Sequence, residues 1–222
     1  MLSDDVIAIP AASVIVLRDA PLEILMMRRH ENRSFAPSAW VFPGGMAEQI
    51  DNELAHELAD GSTLAAMRFT ALRETFEETG VWLGSPIDDA DHKRRRLLAG
   101  SLTLRDLLRD AAADLESLVW TSRWITPAGA PKRFDTYFFL ARVPPDAVAT
   151  AEESEAVEVA WVSPENALAR NAAGTMAMIF PTLRNLEALC GFESAEALLA
   201  SRRGRKIEPV QPILVDGKPV LP

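Results

Sequence analysis

Three glutamates crowded onto the last turn of one predicted helix constrain this chain more than any other feature. They lie in the run Arg73-Glu74-Thr75-Phe76-Glu77-Glu78-Thr79-Gly80-Val81. Positions 74, 77 and 78 are related by i+3 and i+4, so their side chains project from one helical face. Gly80 supplies the stop, because glycine takes the left-handed conformation that ends a helix at least steric cost. The arrangement is electrostatically poor. A helix C-terminus carries partial negative charge and disfavours each nearby anion by about 0.3–1 kcal/mol, and like charges at i,i+4 add a few tenths. Only Arg73, four residues before Glu77, offers local neutralisation. A bare pair of glutamates reads as a solvated acidic helix end, but a fold that accepts three here implies a divalent cation. Clustered hard oxygens suit Mg²⁺ or Mn²⁺.

The surroundings favour the second reading. Upstream, Trp40-Val41-Phe42-Pro43-Gly44-Gly45 is an apolar strand entering a turn built of backbone alone, and Asp51 follows Gly45 after five residues. Together these residues resemble the Nudix box, G-x5-E-x7-R-E-U-x-E-E-x-G-U with U aliphatic. Gly45, Arg73, Glu74, Glu77, Glu78, Gly80 and Val81 match it. The departures are Asp51 in place of Glu, Thr75 in place of the first U, and 21 residues (52–72) where the box has seven. Within the extra stretch, Asp60-Gly61-Ser62-Thr63 reads as a turn followed by an N-cap. A short helix, a break, and then a box helix over about 64–79 are expected, with Ala65, Phe69, Leu72 and Phe76 as the buried stripe. Asp51 is a weak metal candidate because the insertion could displace it, and Glu48 and Glu53 compete with it. His56 is expected at the surface.

The resemblance implies an α/β fold: the Nudix α/β/α sandwich with a mixed β-sheet, plus a helical C-terminal extension. Periodicity alone gives α+β or α/β. The 222 residues fit a single domain, with a core of about 6–170, an insertion of about 52–65 and an extension of about 175–222. Strands are expected at Val6–Leu17 (with Pro10 a candidate interruption), Glu23–Arg28, Trp40–Phe42, Val81–Leu83, Trp120–Ile125, Phe134–Val143 and Val157–Val162. Residues 102–115 have helical periodicity. Ser163-Pro164 starts a further helix, as N-cap and first helical position. A helix-rich tail over 175–203 and an extended, Pro-rich segment over 207–222 complete the chain.

A net charge of −9 argues against nucleic acid or an anionic membrane as a partner. No secretory signal, spanning run or peroxisomal C-terminal tripeptide is read, so a cytoplasmic location is expected. The one cysteine, Cys190, excludes an intramolecular disulfide and reads as a buried, inert thiol.

Nudix enzymes hydrolyse a diphosphate joined to a further group X, and the resemblance implies that reaction here. Glu77 and Glu78 would be the principal metal ligands and Glu74 a further ligand or an aid to water activation. The carbonyl of Gly44 or Gly45 would complete the shell, and Arg73 would orient the glutamates. The general base is not readable; family members use a box glutamate or a distant loop carboxylate, for which Glu152, Glu153 and Glu155 are the candidates.

Trp120–Pro127, Lys132–Leu140, the lengthened box and the PxLxxLxxL-like tail at Pro181 resemble a Nudix subgroup that includes animal acyl-coenzyme A diphosphatases. That resemblance implies cleavage of CoA or acyl-CoA to 3′,5′-ADP and (acyl-)phosphopantetheine. ADP-ribose, NADH or dinucleotide polyphosphates are the alternative substrates, and an inactive nucleotide-sensing module is the alternative of another class. Arg28, Arg29 and Arg33 are candidate phosphate contacts, with Phe42, Arg133 and Asp135 as further substrate-binding candidates. Arg133 and Asp135 share a strand face and could simply pair with each other. Trp124, Phe134 and Phe138 are more often core residues than stacking platforms. Lys93–Arg96 reads as a solvated basic loop rather than a 3′-phosphate contact. The apolar tail at 176–199 reads as exposed and is a candidate homodimer surface.

Overall fold

The computed structural model describes residues 6–32 and 36–221. Strand β1 (Ile9–Arg18) turns at Asp19 into β2 (Glu23–Arg29), followed by β3 (Trp40–Val41) and β4 (Gly44–Met46). Helices α1 (Gln49–Leu58), α2 (Thr63–Thr79), α3 (Ala90–Leu98) and α4 (Leu104–Asp110) come next. Strands β5 (Val119–Ile125), β6 (Phe134–Arg142) and β7 (Ala156–Val162) then lead to α5 (Pro164–Ala172), α6 (Phe180–Glu187) and α7 (Ala195–Arg202). Short strands β8 (Pro209–Val210), β9 (Ile213–Val215) and β10 (Lys218–Val220) end the described chain.

The sheet is organised around β1. On one edge it runs parallel to β6 from Ile9 opposite Phe134 to Leu17 opposite Arg142. Its other edge is shared between β4, opposite Ala11–Ser13, and β2, opposite Leu17 and Arg18. Strand β2 in turn pairs with β7 and β3, while β5 bridges β6 to β8. The sheet is therefore mixed. Strand alternation divides the core into two. Val14 and Val16 of β1, with Phe139 and Ala141 of β6, pack under Phe69, Leu72 and Phe76 of α2. Their neighbours Ile15, Leu17, Phe138 and Leu140 face Ala167, Leu186 and Leu198 on the other side. A sheet covered on both faces demands such continuous apolar strands, and the α/β/α layering follows.

Helix α2 begins one residue earlier than expected. Ser62 caps it by accepting the Ala65 amide at 3.1 Å, and Gly80 ends it at φ +73°. Other expectations are corrected. Val81–Leu83 forms no strand; it runs as irregular chain up to an isolated bridge between Gly84 and Ala113. Pro10 does not interrupt β1, because it sits near the strand's start, where a missing amide is tolerated. The charged run at 90–98 is helical, and the 102–115 helix is shorter at both ends. The tail holds two helices separated by a turn, and its large apolar residues are buried or half-buried. Met176, Leu186, Leu189, Leu198 and Leu199 are buried against the sheet, which removes the ground on which a homodimer was expected. Cys190 is only partly buried, its thiol donating weakly to the Leu186 carbonyl at 3.5 Å.

If α7 belongs to the same cooperative core as the sheet, Leu198→Ala should cost about 2–5 kcal/mol, the usual range for an emptied buried leucine site. A single urea transition shifted to lower concentration is expected; an unshifted midpoint would detach the tail from the core.

Candidate active site

The face of α2 opposite its apolar stripe is organised by Arg73. Its side chain is 4% exposed. Nε and Nη2 donate to the two Asp51 oxygens at 3.1 and 2.9 Å, and Nη2 also donates to the Met46 carbonyl at 2.9 Å. Nη1 donates to Glu74 at 2.9 Å and Glu77 at 3.1 Å. Burial alone would pull Arg73 down, but the bonds to Asp51 and the charges of Glu74, Asp51 and Glu77 hold it above its ordinary value.

Asp51 is fully buried and also accepts from the Thr70 hydroxyl and the Glu48 amide. Its oxygens are spent on protein donors, which corrects its candidacy as a metal ligand. The insertion does not displace it, because α1 folds back on α2 through buried Leu54 and Ala55. Glu53, the second rival, is held by Arg105 at 3.0 Å. Glu48 does border the cleft, 3.6 Å from Arg73.

The two glycines of β4 have different jobs. Gly44 has φ +153°, and a Cβ there would lie 2.3 Å from the Ala12 carbonyl oxygen, so β4 can meet β1 only without a side chain. Its amide donates to Glu78 at 2.7 Å. At Gly45 a Cβ would lie 2.3 Å from Glu74 Oε1, so the carboxylate fills the space a side chain would take.

The three acids are strongly perturbed. Burial, followed by the charge of Glu74, pushes Glu78 well above the carboxylate range, with the Gly44 amide opposing. Burial raises Glu74 to about 7 against the pull of Arg73, and Glu77 is raised for the same reason. Two of these acids share one guanidinium and the third has only a backbone amide, so the set is under-neutralised, and hard oxygen donors of this kind fit Mg²⁺ or Mn²⁺. Among the described residues no three His, Cys, Asp or Glu side chains already stand as a coordination shell; Glu74 and Glu77 are turned onto Arg73, and Glu78 onto Gly44.

These acids form one end of a cleft of about 990 Å³. Glu155, Arg29, Asn32 and Phe42 line it near them. Its other end is walled by Trp124, Phe134, Phe138, Ile179 and Phe180, with Pro212 and Pro219 arriving from the C-terminal segment. Phe42 meets Phe138 edge to face at 6.3 Å, and Trp124 meets Phe180 in the same way at 5.9 Å. Trp124 and Phe138 are thus buried and cleft-lining at once.

Of the other candidates, Arg29 and Phe42 reach this cleft. Arg28 does not: it alternates to the far side of β2 and lies 3.3 Å from Glu158. Arg33 lies outside the described residues. Arg133 and Asp135 are also corrected, since Arg133 donates to the Val6 and Thr126 carbonyls and Asp135 pairs with Arg123 at 2.6 Å. They pair with other groups, not with each other. The cleft receives the opposite parity, Lys132, Phe134, Thr136 and Phe138. Sequence reasoning missed Lys132 and Thr136, although strand alternation could have found them once Phe134 was placed. Of the three distant carboxylates, Glu155 lines the cleft, whereas Glu152 accepts from the Ser154 and Glu155 amides of its own turn.

Residues 53–189 match the NUDT19 Nudix domain family. The chain belongs to the Nudix hydrolases. A Nudix hydrolase structure from Alicyclobacillus acidocaldarius shares 29% identity, covering 88% of this chain and 97% of its own, with a TM-score of 0.78. A Caenorhabditis elegans protein named as nudix hydrolase 7 is 29% identical over 94% of this chain and 69% of its own length. The human protein named acyl-coenzyme A diphosphatase NUDT19 is 26% identical over 85% of this chain and 66% of its own. This Nudix enzyme therefore has the fold and reaction class of a diphosphatase, and it spans about two thirds of those two curated relatives.

Two outcomes follow for this Nudix site. Asp51→Ala strands a buried guanidinium and should destabilise the fold by about 3–5 kcal/mol, measured by urea unfolding. For Glu74, the folded value of about 7 exceeds the ordinary glutamate value of 4.5. Its ionisation therefore opposes folding above pH 7, and that penalty is relieved as pH falls from about 7 toward 4.5. Metal-free protein should gain melting temperature over that interval, and Glu74→Gln should flatten the gain; an identical slope in both proteins would remove Glu74 as its source.

Proposed function

We propose that this Nudix hydrolase cleaves CoA or acyl-CoA to 3′,5′-ADP and (acyl-)phosphopantetheine, with Mg²⁺ or Mn²⁺ held by Glu77 and Glu78 and completed by Glu74 and a Gly44 or Gly45 carbonyl. One observation carries the substrate reading: acidic and apolar ends belong to a single cavity of about 990 Å³. That is the upper end of the small-molecule range of about 300–1,000 Å³. A compact nucleoside diphosphate would leave much of the apolar end unused, while a substrate with a long pantetheine arm would occupy both. The relatives named as acyl-CoA diphosphatases support the same choice.

The chain's own residues have distinct parts. Arg29 and Lys132 are, besides Arg73, the cations lining the cleft among the described residues, and they are assigned to phosphate groups. Arg73 is committed to Asp51, Glu74 and Glu77, so it orients the acids rather than touching substrate. Glu74 is assigned as a further ligand or as an aid to water activation, from its place at the acidic end of the cleft beside Gly45. Glu155 is the second carboxylate placed to aid water activation. A bound Mg²⁺ would supply Lewis-acid stabilisation of the phosphoryl oxygens and a more acidic attacking water.

The test is product analysis on CoA, acyl-CoA, ADP-ribose, NADH and diadenosine polyphosphates with Mg²⁺ or Mn²⁺. Release of 3′,5′-ADP from CoA or its thioesters is expected; its absence from every one, with turnover elsewhere in the panel, overturns the CoA reading. Tight nucleotide binding without turnover under either metal would instead indicate a sensor. Glu78→Gln should lower kcat at least about 10²-fold, as expected for losing one strong electrostatic stabiliser, without unfolding the protein. Full activity in that variant would refute the metal assignment.

A further inference from the structure

The terminal turn of α2 has no basic residue of its own. A helix ending in three acids with bare carbonyls would concentrate negative potential where the chain can least stabilise it. The last carbonyls are instead satisfied from outside. The Glu78 carbonyl accepts from the Glu152 amide at 3.0 Å, and the Thr79 carbonyl from the Thr150 amide at 2.8 Å. The Glu77 carbonyl accepts two bonds from one side chain, Arg94 Nε at 3.0 Å and Nη2 at 2.9 Å.

Arg94 differs from its neighbours in the basic run. It is 8% exposed, whereas Arg95 and Arg96 are exposed and Lys93 pairs with Asp110. Its guanidinium packs against Gly80, where an added Cβ would lie 3.3 Å from Nη1. The helix-ending glycine therefore has a second role besides its φ of +73°, since it leaves room for this arginine. Arg94 does not border the cleft.

We propose that Arg94 is a positioning residue for the catalytic turn: by clamping the Glu77 carbonyl it holds Glu77 and Glu78 in the geometry that takes the divalent cation. This rests on the metal reading given under Proposed function. Two effects compete. A fixed positive charge near the acids repels a second cation, while a two-pronged bond to the last turn prevents it from fraying. Arg94 bonds to the Glu77 carbonyl rather than to a carboxylate and does not border the cleft, so its charge reaches the cation's place only at a distance while its bonds act on the turn directly. The geometric effect therefore wins, and removing Arg94 weakens metal binding rather than strengthening it.

The experiment measures Mn²⁺ binding to substrate-free protein by calorimetry, alongside melting in EDTA, for the parent, Arg94→Gln and Arg94→Lys. Arg94→Gln should bind Mn²⁺ about 5- to 10-fold more weakly, a loss of the size expected for one helix-end interaction, while remaining folded in EDTA. Lysine keeps the charge but not the fork, so Arg94→Lys should fall between the two. Parental or tighter affinity in folded Arg94→Gln overturns the proposal. Should Arg94→Gln not fold, Arg94→Lys decides alone: weaker binding supports it and parental affinity overturns it. If the parent itself binds no Mn²⁺, the metal reading fails and takes this inference with it.

Discussion

The buried pair of Arg73 and Asp51 is the constraint on which the rest of the site depends. A guanidinium 4% exposed is unaffordable unless its donors are met, and Asp51, the Met46 carbonyl, Glu74 and Glu77 meet them. That satisfaction ties three parts of the chain together. Asp51 comes from α1, Met46 from β4 and the glutamates from α2. Helix α1, β4 and the acidic face thus become one rigid unit around one side chain. The glutamates are then held close and poorly solvated, which is why burial raises Glu74, Glu77 and Glu78 together. An uncompensated set of this kind costs stability rather than adding to it, and it is the feature from which the cation-binding proposal starts.

The rest of the fold serves to aim this unit. Strand β1 carries β4 on one edge and β6 on the other, so the glycines beneath the acids and the aromatic wall facing them share a common support. Gly44 lets β4 approach β1, and its amide fixes Glu78. The cleft consequently lies over Ala11, Ala12 and Ser13 of β1, between the acidic face of α2 on one side and β6, Phe180 and the C-terminal prolines on the other.

Much of this was legible in local sequence. The spacing of Glu74, Glu77 and Glu78, the Ser62 cap and the Gly80 stop are all readable within a few residues, and α2 lies where they place it. What was not legible depends on long-range pairing. Asp51 looked dislodged by a long insertion, yet α1 returns it to Arg73, because helix packing rather than chain length sets that distance. Arg133 and Asp135 were chosen on the wrong strand parity, and period-two alternation turns such an error into the wrong face. Arg94 lies in a run that reads as solvent-facing, and only the docking of α3 against Gly80 singles it out. The apolar tail looked exposed for the same reason, since its partner is a sheet formed by distant strands.

One more consequence comes from the parallel ladder between β1 and β6 and from the prolines that reach the aromatic wall. Residues 11 and 219 border the same opening. Parallel pairing of such remote segments is entropically slow, because a long loop must close before any contact rewards it. The side chains that make up the acidic unit, by contrast, all lie within residues 44–78, although Arg94, Thr150 and Glu152 complete the last turn of their helix. During synthesis the charge-bearing half is complete in sequence long before the half that walls the apolar end of the cleft. A nascent chain therefore carries its full set of acids before it has a pocket.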